Sequence, residues 1–126
     1  MNMKQVYYNS AEKTVNVEFT GMPELEEFKK QANSIIEKMK EFNSIKVLND
    51  ISKLDANSIE NQEWTENIWF PEAEKTGLKY YAFIMAENIF GQVSAEQTNE
   101  KAEEKSVIKI KYFGNRKDAE KWLSEK

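Results

Sequence analysis

The sequence predicts an α/β fold: a mixed sheet of four to five strands, opened by an N-terminal hairpin, with about four helices packed on it. Three observations predict it. Apolar residues recur in steps of three and four along residues 24–42, from Leu25 and Phe28 through Ile35, Ile36 and Met39 to Phe42, one stripe on one helix. Residues 14–19 and 107–113 instead alternate, with Val15, Val17 and Phe19 on one face of the first run. Residues 78–86 are nearly all apolar, as in a strand buried on both faces.

The elements follow in order. Val6, Tyr7 and Tyr8 form a short β-prone run, and Asn9, Ser10, Ala11 and Glu12 have turn composition. The alternating run after them makes a half-buried partner strand, so the pair reads as an antiparallel hairpin. Gly21 and Pro23 stop the strand, and Pro is tolerated in a first helical turn because its missing N–H has no partner there anyway. The helix that follows has Glu24, Glu26 and Glu27 at its start and Lys38 and Lys40 near its end, as the helix dipole favours.

Residues 45–51 are the next strand, joined by a crossover to the same sheet. Residues 52–57 are loop-like. Asn57 or Ser58 caps a helix with Glu60 reaching back, and that helix runs towards Thr76, bending or breaking at Pro71 and ending at Gly77. The apolar strand of residues 78–86 lies inside the sheet. Residues 91–105 have helical propensity but a poor apolar stripe and read as a surface helix. Lys109 and Lys111 on one face of residues 107–113 suit an edge strand that avoids pairing with other chains. Asn115 caps a last helix that buries Ala119, Trp122 and Leu123. With no repeat, linker or low-complexity tract, residues 1–126 read as one domain.

Composition bounds the function. There is no cysteine and no histidine, so thiolate nucleophiles, zinc–thiolate sites and the commonest general base are excluded. Catalysis would rest on carboxylates, Lys, Tyr, Ser or Thr, and the expectation is a protein that is not an enzyme and uses no cofactor. A net charge of −4 argues against a nucleic-acid partner, which wants a basic face. No signal-peptide stretch follows residues 1–5 and no run has the length of a membrane span, so a cytoplasmic location is expected. No Gly-rich phosphate loop, nucleophile elbow or zinc-helix motif occurs.

Several stretches carry a family resemblance. They are Val47-Leu48-Asn49-Asp50, the Trp64 helix closing on Pro71, the turn Lys75-Thr76-Gly77-Leu78-Lys79, and Phe113 followed by Ala119-Glu120-Lys121-Trp122-Leu123. Together they resemble the SpoIIAA-like family, whose fold is that of the STAS anti-sigma-factor antagonists. The resemblance implies a non-enzymatic module that binds an unknown protein partner. In STAS antagonists a serine at the start of the helix after this strand is phosphorylated to switch partner binding. Asp50-Ile51-Ser52 is similar to the Asp-Leu-Ser that precedes it, and Ser58 falls close to the switch position. The family's Asp-Ser-Ser-Gly-like stretch is absent here.

Each candidate site has a plainer alternative. Ser58 is a phosphorylation switch at a helix N-terminus or simply an N-cap. Trp64, Trp69 and Phe70 line a ligand pocket or a partner surface, or they are core. Asp50 and Asp55, with Ser52 between them, belong to the same candidate surface. The two carboxylates either bind a divalent cation or only form turns. Lys109, Lys111, Arg116, Lys117 and Lys121 face an acidic partner, or the first two protect an edge. The acidic residues from Glu96 to Glu104 are a solvated helix face. Three functions remain: a protein-binding regulatory module, a carrier of a small apolar or lipid-like ligand with a cavity beneath Trp64 and Trp69, and a carboxylate- or Lys-based enzyme. Edge strands and spare aromatics also offer surfaces for a homodimer.

Overall fold

The computed structural model describes residues 6–126, and the N-terminal reading of residues 1–5 lies outside them. Five strands form one mixed sheet in the order β1-β2-β3-β4-β5: β1 (Val6–Asn9), β2 (Thr14–Glu18), β3 (Lys46–Asp50), β4 (Tyr80–Ile84) and β5 (Lys109–Phe113). β1 pairs antiparallel with β2, closing the expected hairpin, and every later pairing is parallel. The apolar β4 lies inside the sheet and the lysine-bearing β5 at its edge, as the sequence patterns predict.

The crossover helices share one face of the sheet. α1 (Leu25–Phe42) buries Phe28, Ala32, Ile35, Ile36 and Met39, the predicted stripe. Asn43, in a left-handed conformation, ends it. Its Phe42 leaves the core and stacks on Tyr8, ring centroids 4.2 Å apart. The second crossover is one continuous helical rod of three parts: α2 (Ile59–Trp64), a π turn (Thr65–Trp69) and α3 (Phe70–Thr76). α4 (Ile89–Lys105) forms the third crossover. α5 (Arg116–Ser124) alone covers the opposite face, where Leu48, Ala82, Ile84, Ala119 and Leu123 make a second, smaller core. Asn115 caps it, its Oδ1 accepting from the Asp118 amide at 2.9 Å.

Three expectations change. β2 is buried on both faces rather than one. Thr14 and Asn16 are within the core layer: the Arg116 guanidinium of α5 reaches over and donates to Asn16 Oδ1 at 3.0 Å, and Thr14 Oγ1 donates to Glu12 O at 3.1 Å. The second rod does not break at Pro71. Proline cannot donate to the carbonyl four residues back and its ring crowds that carbonyl. The chain relieves this one turn earlier, where the Phe70 N–H bonds Thr65 O in π register, and Pro71 then sits in the first turn of α3. Asn61 and Gln62 reach back at the rod's start, in place of Glu60: Asn61 Nδ2 donates to Asn57 Oδ1 and Gln62 Nε2 to Asn57 O. Third, α4 is more than a solvated surface helix. Its acidic side is exposed as expected, but its inward side is small and polar, burying Gly91, Ser94, Thr98, Asn99 and Ala102.

Candidate functional site

Parallel strands place their carboxyl ends, and the helix N-termini that follow, at one pole of the sheet, where α/β proteins bind their targets. Here that pole is built from the loops after β2, β3 and β4. Gly21, at φ +65°, lets the first loop lie parallel to the second: Gly21 N–H donates to Lys53 O and Asp55 N–H to Gly21 O, each at 2.9 Å. The third loop joins through Glu87 N–H to Ser52 O at 3.2 Å. Asn61 Nδ2 ties α2 to Pro23 O at 2.9 Å, and the Asn57 amide donates to Ser94 Oγ of α4 at 3.3 Å.

The sequence candidates fall into separate surroundings on this frame. Asp50 ends β3 on the α5 face. It accepts from the Ser52 amide at 2.9 Å and pairs with Arg116 at 3.6 Å, so its carboxylate is engaged in holding the loop and α5. Asp55 is exposed one loop further on. Among the described residues no group of three or more His, Cys, Asp or Glu side chains is placed to hold a metal ion. Ser58 is exposed and is the N-cap of α2, its Oγ accepting from the Asn61 amide at 3.0 Å. Ser58→Ala is therefore expected to lower stability in urea unfolding by about 1 kcal/mol. Ser58→Asp, which keeps an acceptor oxygen at the cap, is expected to retain most of it.

The three aromatics divide. Trp69 and Phe70 are buried, and Trp69 Nε1–H donates to Ala32 O at 2.7 Å. Trp64 is half-buried, edge-on to Phe28 at 6.0 Å. Exposed apolar side chains lie elsewhere on the pole: Ile59 (66% exposed) opens α2 beside Ser58, and Ile89, Phe90 (70%) and Val93 lead α4 around Ser94.

Between the sheet, α1, the π turn and α4 lies a partly open cavity of about 60 Å³. Trp69, Phe70, Tyr81 and Phe83 are among its walls, beneath the Trp69 region of the rod. At its sheet side Asn49 Nδ2 donates to Tyr81 Oη at 3.0 Å. Asn49 is 4% exposed, yet its Oδ1 has no partner among the described residues. Burial pushes the Tyr81 phenol well above the ordinary tyrosine range, with the Asn49 bond opposing the shift only in part, so the hydroxyl keeps its proton. Sequence reading missed this pair. The signal available was an Asn on the apolar face of β3, in phase with Val47 and Ile51.

A model of the SpoIIAA-like family matches residues 14–124. No curated protein matches. Among solved structures, an uncharacterised protein with a SpoIIAA-like fold from Shewanella loihica PV-4 is similar over 87% of this chain and 83% of its own. The two are 19% identical, with a TM-score of 0.60. At that identity the likeness speaks to fold, and the five-stranded mixed sheet agrees with it. Among the described residues no helix is long and apolar enough to cross a membrane.

Proposed function

The chain belongs to the SpoIIAA-like family, and we propose that it is a STAS-type module that works by binding a protein partner, without catalysis, through the pole formed by the N-termini of α2 and α4. One observation carries the reading: Ile59 stands exposed beside Ser58 at the start of α2, and Ile89, Phe90 and Val93 at the start of α4, which the Asn57–Ser94 bond ties to it. Clustered apolar exposure rimmed by polar groups is the usual mark of a protein contact. The sequence supports the non-catalytic half, since it holds neither His nor Cys.

Ser58 gives this surface a switch. A phosphate there adds a charge of roughly −1.5 to −2 beside Ile59. An apolar contact pays for desolvating that charge, so modification releases the partner. The test is recovery of the tagged protein from its own cells, read by native mass spectrometry. A partner held by wild type and by Lys79→Ser, at the opposite pole, is expected to drop out with Phe90→Ser, Ile59→Ser and Ser58→Asp. A partner retained by all three pole variants would place the interface elsewhere.

A further inference from the structure

The Asn49–Tyr81 pair has hydrogen-bonding capacity that the protein leaves unspent. Tyr81 Oη accepts from Asn49 Nδ2, so its own hydrogen has no acceptor among the described residues, and Asn49 Oδ1 has no donor. Turning the amide over exchanges the roles but still leaves both donor and acceptor capacity free. Both groups are buried, where an unmade hydrogen bond is expensive. The walls around them are aromatic and aliphatic from Phe19, Phe28, Ile51, Phe70 and Phe83, and the other polar side chains there, Asn57, Thr65, Ser94, Thr98 and Asn99, each already hold a hydrogen bond within the protein. A buried water typically wants about three polar partners. A molecule with an apolar body and one donor–acceptor head fits these walls better.

Charge narrows the class. No side chain lining the cavity is charged, so an ion inside would have no counter-charge. The groove between α2 and α4 meets the cavity at Thr98, which lines both. That groove is acidic, bordered by Glu63, Glu66, Glu100 and Glu104 against Lys101. Anions are repelled before they reach the cavity. The π turn sets the latch across it: Glu66 pairs with Lys101 at 3.5 Å and Lys105 at 3.7 Å on α4. The volume, well below the roughly 150 Å³ of a cavity that takes benzene, excludes a lipid chain.

We propose that this cavity is a binding site for a small neutral amide or alcohol, held by Asn49 and Tyr81 and reached through the α2–α4 groove. The proposal does not depend on the protein-partner reading. Acetamide and 1-propanol are the probes, with acetate at neutral pH as the charged counterpart, added to the whole protein and followed by NMR. Acetamide or propanol is expected to shift the Asn49 side-chain amide and the Thr98 amide saturably, and acetate to leave both unmoved. Asn49→Leu/Tyr81→Phe replaces both polar partners with apolar ones and is expected to weaken binding about tenfold or more. If that variant does not fold, Tyr81→Phe, which removes one oxygen, serves in its place. Ordered waters alone in the cavity with no saturable shift, or equal shifts from acetate, would overturn the proposal.

Discussion

Trp69→Ala is expected to destabilise the protein by about 3–5 kcal/mol, the range for emptying a large aromatic from a packed core. The side chain is 2% exposed and is gripped on three sides. Its ring stands edge-on to Phe70 at 5.1 Å and tilted against Tyr81 at 5.7 Å, while its N–H holds the Ala32 carbonyl of α1. Deleting it enlarges the neighbouring cavity and removes the tie between α1 and the π turn. Urea unfolding followed by circular dichroism measures the loss. Trp64→Ala is the internal comparison: that ring is half-buried at the edge of Phe28, so its loss is expected to be clearly smaller. Equal losses from the two, or less than about 1 kcal/mol from Trp69→Ala, would mean that the rod does not seat on the sheet through Trp69.

Gly91→Ala is expected to loosen α4 and lower stability by a net of about 1–2 kcal/mol. A Cβ at Gly91 would collide with the Leu54 carbonyl oxygen and lie 2.9 Å from Ala86 Cβ. Alanine's helix propensity returns about 1 kcal/mol. The obstacle is backbone, however, which cannot swing aside as a side-chain end can, and overpacking of this kind costs up to about 3 kcal/mol. The strain falls where α4 rests on the loop after β3, so the bond from the Asn57 amide to Ser94 Oγ is expected to open. Amide hydrogen exchange should quicken in α4 more than in α1. Unchanged exchange in α4 would show that the helix does not bear on Leu54.

The sequence made some elements plain and hid others, for physical reasons. α1 was legible because one face of a single helix meets one face of the sheet, so burial leaves an unbroken stripe from Phe28 to Met39. β4 was legible because helices cover both of its faces, which demands a continuous apolar run. β2 looked half-buried because its second face is satisfied by a long-range polar contact, Asn16 with Arg116, and alternation carries no sign of that. α4 was hardest. It packs with Ser94, Thr98 and Asn99 inward and leaves Phe90 outside, the reverse of the rule that a stripe search relies on. The π turn left one trace, Pro71, which marks where the strain arises and not where the rod absorbs it.

The candidate site divides in the same way. Ser58 was visible because a cap is a local matter of a few residues. The Asn49–Tyr81 pair joins residues 32 apart, and only the register of β3 against β4 brings them together. Likewise Asp50 reads as a loop carboxylate until α5 is folded back and Arg116 arrives beside it. Fold class follows from periodicity, whereas a site depends on register and helix rotation.

Site-specific photo-crosslinking in the protein's own cells tests the central claim most directly. A photoreactive residue replaces Phe90 at the α2–α4 pole in one strain and Lys79 at the opposite pole in another. The account predicts a discrete, reproducible protein adduct from position 90 that disappears when Ser58→Asp is added, with none from position 79. No adduct at position 90, or the same adduct from both positions, would contradict it.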